Sequence, residues 1–266
     1  MVSPFRQSVW KALSPHAEAG RRSGAERPRI VLVHGSVMGG RPTWSGQRRL
    51  SDRFRLEILE RPGFPPNPPV DRVDFDEHAR LVADTIRDGD HLVGHSYGGV
   101  IALLAAAAVP RSIRSLTVIE PPATRVARGN PAADAFTAEG IEWWATGPTA
   151  DPEAFLRGFL AYVGSAYVPP SPLPAQLAQG ARTLIVERGP WEAEIPLAAL
   201  AEAPFPTLVV SGGHHAAFDA VCDLLVARLG AERLVLPGYG HTAQRHPGFN
   251  EALAAFVTAA EPPKTG

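Results

Sequence analysis

The stretch Gly94-His95-Ser96-Tyr97-Gly98-Gly99 constrains this chain more than any other, because it stands directly between an apolar strand signal and a helix signal. The strand signal is His91-Leu92-Val93, and the helix signal runs from Val100 to Val109. A Gly-x-Ser-x-Gly turn at such a junction lifts a serine hydroxyl above the edge of a sheet and holds its backbone under strain. Gly94 and Gly98 flank the serine where a Cβ would collide as strand and helix close together. The helix N-terminus beneath Ser96 favours negative charge developing there. The same residues also fit a Gly/Ser-rich strand-to-helix turn with no chemistry, so the surrounding segments decide between the two readings.

A chain of 266 residues, 45% of them hydrophobic, accommodates one α/β domain of about 200–250 residues plus an insertion. The net charge is −1 and the arginines are scattered, which gives no electrostatic basis for binding nucleic acid or an anionic membrane. The single cysteine, Cys222, excludes an internal disulfide framework and a multi-cysteine metal site, and reads as a small buried hydrophobe. There is no signal-peptide pattern, and no apolar run approaches about 18 residues. The expectation is a soluble cytoplasmic protein without nucleic-acid or membrane partners; no pattern selects monomer or homodimer.

Apolar β-branched runs alternate with helical spacing along most of the chain. Ile30–Val33, Leu56–Leu59, His91–Val93, Leu116–Ile119, Leu208–Val210 and Leu234–Leu236 read as strands. They are continuous rather than alternating, the pattern of strands covered on both faces in a mostly parallel sheet. Phe5, Val9 and Trp10 suggest a short edge strand, and Gly20 to Pro28 an exposed turn. Helical spacing is expected over Phe75 to Ile86, Phe218 to Leu229 and Pro247 to Val257. The alternation breaks between Pro121 and Pro204, a stretch rich in aromatics with helical windows at Asn130–Trp144 and Pro152–Val163. Residues 121–204 therefore read as an inserted helical cap, and 1–120 with 205–266 as the α/β core. The cap aromatics most simply form a small core of their own, the remainder lining a pocket.

Leu32-Val33-His34-Gly35-Ser36-Val37-Met38-Gly39-Gly40 follows its strand directly and resembles the His-Gly oxyanion loop of the α/β-hydrolase superfamily. The Ser96 turn fits that family as well. The resemblance implies the α/β-hydrolase fold: a mostly parallel central sheet, helices on both faces, and an inserted helical cap. It assigns two oxyanion donors, the backbone N–H groups of Ser36 and Tyr97. His34 itself reads as a structural turn histidine.

Pro237-Gly238-Tyr239-Gly240-His241 follows the last predicted strand, where the family carries its catalytic histidine. His246 is the other histidine nearby, but Pro247 marks it as the start of a helix. Many members hold the acid in a Gly-x-x-Asp loop; here that loop reads Ser211-Gly212-Gly213-His214-His215, with His215 in the acid's slot and Asp219 four residues later. Glu120 instead ends the strand Leu116–Ile119, a position resembling the alternative acid of some haloalkane dehalogenases and of zearalenone-type lactonases. A glutamate ending a buried strand needs a partner. His241 fits that need; Arg125 is the competing partner and Asp219 the competing acid. Arg61-Pro62-Gly63-Phe64 resembles a rim-shaping segment of the family, with Pro65 replacing a second glycine.

The resemblance thus implies acyl transfer to water, with Ser96 as nucleophile, His241 as base and Glu120 as the acid that orients it. Serine at the turn argues against dehalogenase or epoxide-hydrolase chemistry, which uses a carboxylate nucleophile. The apolar cap favours a hydrophobic small-molecule ester or lactone, with Val37, Met38, Trp143, Trp144 and His215 as candidate pocket lining. His214-His215 lacks carboxylate or cysteine support at ligand spacing, so no metal and no cofactor are expected. A ligand-binding receptor or a lyase on the same scaffold is the alternative, because fold does not fix function.

Overall fold

The computed structural model describes residues 6–11 and 27–262. Among the described residues, seven strands form one sheet: β1 (Arg6–Val9), β2 (Arg29–Val33), β3 (Arg55–Glu60), β4 (Asp90–His95), β5 (Ile113–Ile119), β6 (Thr207–Ser211) and β7 (Glu232–Val235). Their spatial order is β1-β3-β2-β4-β5-β6-β7. β1 runs antiparallel to β3, and every other neighbouring pair is parallel. Val9 and Trp10 belong to the expected edge strand and its end; Phe5 and most of the expected turn before Pro28 lie outside the described residues.

The continuous apolar runs work because successive side chains point to opposite faces and both faces are covered. Ile30 and Leu32 join Leu56, Ile58, Val93 and Val210 in one buried cluster, roofed by Phe249 and Leu253. Val31 and Val33 join Leu92, Leu116, Val118 and Val209 in the other, with Val100, Ile101 and Val221 above them. β7 departs from the expected two-sided burial. It has a strand on one side only, and Val235 is exposed.

Helices α1 (Phe75–Ala83), α2 (Tyr97–Ala108), α7 (Ala216–Leu229) and α8 (Phe249–Ala260) cover the sheet. α1 begins where Asp74 accepts the Asp76 and Glu77 N–H groups, and α7 stops at Gly230, whose φ of +61° ends the helix. Between β5 and β6 lie α3 (Pro131–Thr146), α4 (Pro152–Tyr162), α5 (Ala175–Ile185) and the short α6 (Leu197–Ala201). Asn130 and Asp151 cap α3 and α4, each followed by a proline at the first helical position. Helix α5 was not among the expected windows, although Leu177, Ala181 and Leu184 repeat at helical spacing and are buried.

The stretch between β5 and β6 packs in two ways. Phe136, Phe155, Leu156, Phe159, Tyr162, Leu177 and Leu184 form a third apolar cluster that also takes in Val37, Ala217 and Phe218. Ala193, Leu200 and Phe205, by contrast, join the main cluster over the sheet. No helix among the described residues is long and apolar enough to cross a membrane.

Candidate active site

Ser96 follows β4 and opens α2 with φ +54° and ψ −126°. Such a backbone costs about 1–3 kcal/mol and persists only where the surroundings impose it. They do so here: Ser96 N–H donates to the Ile119 carbonyl at 2.8 Å. A Cβ on Gly98 would stand 2.4 Å from the Val33 and His34 carbonyl oxygens, so only glycine lets α2 come this close to the end of β2. Tyr97, the first residue of α2, has an N–H with no partner within its own helix.

Glu120 follows β5, also with a positive φ (+45°), and is completely buried. Its N–H donates to the Val210 carbonyl at 2.9 Å. His241 lies in the 3-10 helix Gly240–Arg245, after β7. The structure brings these three residues together. His241 Nδ1–H donates to Glu120 Oε2 at 2.7 Å, and Ser96 Oγ–H donates to His241 Nε2 at 2.8 Å. The carboxylate can only accept, which fixes the proton on Nδ1 and leaves Nε2 free to accept from the serine.

The second carboxylate oxygen of Glu120 is also held. It accepts the Gly212 N–H at 2.6 Å, and His214 Nδ1 makes an ion-pair contact with it at 3.3 Å. Burial opposes the charge on Glu120, but His214, His241 and the Gly212 amide together outweigh it and hold its pKa far below the usual carboxylate range. Burial likewise opposes protonation of His214, yet Glu120 and the Val163 carbonyl raise its pKa above the ordinary 6.5. The His214 Nε2 sits 3.1 Å from that carbonyl, so both ring nitrogens face acceptors.

Two further histidines brace the site. His95 Nε2–H donates to the His241 carbonyl at 2.7 Å, and burial, with His241 beside it, pushes the His95 pKa down to about 3. The Phe218 ring lies 4.5 Å from the His241 ring and backs it. His95 fills a place that the Gly-x-Ser-x-Gly pattern leaves open and Phe218 starts a helical window, so neither is marked in the sequence for this role. His34 fits its structural reading: Nδ1–H donates to the Gly35 carbonyl at 2.8 Å, and Nε2 accepts from the Arg61 N–H at 3.0 Å.

The competing assignments lie elsewhere. Asp219 accepts from Ser211 Oγ at 2.6 Å and pairs with Arg233 at 3.0 Å. Arg125 pairs with Glu194. His246 accepts from the Gly248 N–H at 3.0 Å. Glu120, His214 and His241 each place one ligand-type atom within 4.8 Å of the others. In this arrangement Glu120 Oε2 already accepts from His241 Nδ1–H, and both His214 ring nitrogens already face other groups, Glu120 and the Val163 carbonyl.

A pocket opens beside Ser96 and His241, its apolar lining made by Val37, Met38, Phe159, Leu160 and Val163. Tyr167, Thr242 and Arg245 form its more polar rim. Trp143, Trp144 and His215, expected in the lining, are not part of it. The Trp143 and Trp144 rings pack 5.4 Å from Phe155, and Trp144 also meets Trp191, so both, half-buried, lie against the third apolar cluster. His215 caps α7, its Nδ1 accepting from the Ala217 N–H at 3.2 Å.

Sequence reasoning also missed Glu187. Its carboxylate pairs at 2.8 Å with the completely buried Arg61 and accepts from Ser36 Oγ–H. The polar pair Glu187-Arg188 after the apolar run Leu184-Ile185-Val186 is the one local hint of it.

With this geometry in view, the comparisons with known proteins agree on the class. The description "Alpha/beta hydrolase family" matches residues 30–255, and the chain belongs to that family. A pimeloyl-(acyl-carrier protein) methyl ester esterase of Methylococcus capsulatus is 33% identical over 175 residues, covering 65% of this chain and 66% of that protein. Polyketide synthase ThaQ of Burkholderia thailandensis is 28% identical over 253 residues, 88% of this chain but only 12% of the synthase. Among solved structures, MenH from S. aureus superposes with a TM-score of 0.68 at 16% identity, covering 98% of this chain and 100% of its own. Est816, described as an N-acyl homoserine lactone degrading enzyme, does so with a TM-score of 0.61 at 21% identity, covering 95% and 96%. These two establish the likeness of fold.

Proposed function

We propose that this chain is a serine hydrolase that cleaves a carboxylic ester or lactone of a hydrophobic small molecule through an acyl-enzyme on Ser96. The observation that carries the reading is the chain of hydrogen bonds Ser96–His241–Glu120, at 2.8 and 2.7 Å, whose first two members line a pocket together with Val37, Met38, Phe159, Leu160 and Val163. His241 Nε2 takes the hydroxyl proton as Ser96 Oγ attacks the substrate carbonyl carbon. The carbonyl oxygen becomes an oxyanion, received by the Ser36 and Tyr97 N–H groups. As the intermediate collapses, the carbon–oxygen bond to the leaving alcohol breaks and His241 delivers its proton to that alcohol. Water, deprotonated by His241, then attacks the acyl-enzyme; the acid is released and Ser96 regains its proton.

Glu120 keeps the His241 ring in the right tautomer and stabilises the imidazolium that forms twice in each cycle. Helices α3 to α5 serve as the cap, contributing Phe159, Leu160 and Val163 to the acyl-binding wall. The esterase and lactone-degrading names carried by the relatives support ester chemistry.

Labelling with a fluorophosphonate tests the reading without knowledge of the substrate. The wild type is expected to be labelled and to turn over short p-nitrophenyl esters, and Ser96→Ala to do neither. A folded wild type that resists the probe and turns over no ester of any chain length sinks the proposal; tight ligand binding in that case points to a receptor on the same scaffold.

A further inference from the structure

The side chains of Ser36 and Tyr97 are tied to two consecutive residues, Glu187 and Arg188, just after the end of α5. Ser36 Oγ–H donates to Glu187 Oε2, and the Tyr97 hydroxyl donates to the Arg188 carbonyl at 3.0 Å. Arg61 joins the two ties. Its guanidinium pairs with Glu187 Oε1 at 2.8 Å, donates to the Gly35 carbonyl at 2.9 Å, and lies 4.7 Å over the Tyr97 ring.

Glu187 is itself fixed by backbone on both sides. The Val73 N–H donates to the Val186 carbonyl at 3.0 Å, and the Arg188 N–H returns to the Val73 carbonyl at 2.9 Å. The same inserted segment touches the Ser36 loop a second time. A Cβ on Gly180 of α5 would stand 1.7 Å from the carbonyl oxygen of Val37, a residue with φ +76°. Three successive residues of an irregular loop are thus each held separately: Gly35 by Arg61, Ser36 by Glu187, and Val37 by the close approach of α5.

We propose that Glu187 is a positioning residue that sets the direction of the Ser36 amide directly and steadies Tyr97 through Arg61, so that the inserted segment tunes the transition state as well as the pocket. This rests on the reading of Ser96 as nucleophile with Ser36 and Tyr97 as oxyanion donors. An oxyanion hole works only when its donors are preorganised at about 2.7–3.1 Å from where the charge will appear. A loop without regular secondary structure has no ladder to impose that direction; side-chain ties must do it.

The experiment uses the full chain with Glu187→Gln, Ser36→Ala and Ser36→Thr, reading kcat, KM, melting temperature and inhibition by a trifluoromethyl ketone, which forms an oxyanion adduct with the serine. Glu187→Gln and Ser36→Ala are expected to lower kcat by about 10- to 100-fold and weaken the inhibitor in parallel. KM should stay within about threefold, because the interaction is made in the transition state. Ser36→Thr, which keeps the hydroxyl, is expected to restore kcat. Folded variants with wild-type kcat and inhibitor affinity overturn the proposal, and so does a loss of kcat that Ser36→Thr shares with Ser36→Ala. Ser36→Ala removes only one half-buried hydroxyl, so it decides the matter if Glu187→Gln does not fold. A wild type inert to fluorophosphonate and esters overturns the hydrolase reading, and this one with it; an active wild type with indifferent variants overturns the positioning role alone.

Discussion

Ser96 and Glu120 occupy matching places on adjacent strands: His95 and Ile119 are paired in register, and the residue after each turns to a positive φ. Neighbouring strands lie about 4.8 Å apart, so the two side chains leave the sheet side by side, and one imidazole spans them. This explains how a carboxylate at the end of β5 reaches the same histidine that an acid from the β6–α7 loop would meet in the commoner arrangement.

Replacing Glu120 by Gln is therefore expected to cut kcat/KM by about 10³–10⁴-fold, since the amide no longer selects the Nδ1–H tautomer or offsets the imidazolium charge. Asp219→Asn, at a residue paired with Arg233 and Ser211, should leave kcat/KM near wild type. Steady-state ester hydrolysis by the two folded variants checks this; equal, mild losses would remove Glu120 from its role.

His214 links stability to pH. Its folded pKa is raised, so the stabilisation it brings is fully present below the unfolded value of about 6.5 and is lost as pH rises through the folded value. The groups facing it are Glu120, His241, His215, Asp219 and the Val163 carbonyl. Urea unfolding of wild type and His214→Gln across pH 5.5 to 9 should show the largest gap at the acid end, narrowing as pH climbs. A gap that widens with pH would contradict the assignment.

Gly98→Ala should fail to reach the native state, or reach it with activity lost, because the new methyl would meet two backbone carbonyls at 2.4 Å rather than a movable side chain. Circular dichroism together with fluorophosphonate labelling distinguishes the two outcomes. Normal labelling and normal melting would mean that α2 is less tightly seated than described.

Phe155 is completely buried among the helices between β5 and β6, with Trp143 and Trp144 against it. Phe155→Ala is expected to cost about 3–5 kcal/mol, the usual range for emptying a buried aromatic site. Chemical denaturation measures it; a cost below about 1 kcal/mol would show that the helices collapse readily into the space.

The central parallel strands are legible in sequence because each contains a short run of β-branched or aliphatic residues, and the Ser96 turn because glycine is required at fixed offsets; the edge strands β1 (Arg6-Gln7-Ser8-Val9) and β7 (Glu232-Arg233-Leu234-Val235) are less so. Glu120 stands out because a carboxylate at the end of an apolar strand demands a partner, but the sequence leaves that partner open between His241 and Arg125; the 2.7 Å bond to His241 appears only in the fold. Contacts between distant segments are not. Arg61 and Glu187 stand 126 residues apart, and nothing near either names the other. Trp143 and Trp144 look like pocket residues until the partners of their rings are known. Helix α5 is hidden by Gly180, a residue whose low helix propensity is tolerated where the Val37 carbonyl leaves no room for a side chain.

The third apolar cluster takes Val37 and Phe218 from outside the inserted helices, and Glu187 returns the dependence by gripping Ser36. Exchanging the segment between β5 and β6 for the corresponding one of another member of the family would consequently not be a neutral transplant. The donor segment would have to bring its own contact for Val37, its own backing for Phe218 and its own carboxylate for Arg61.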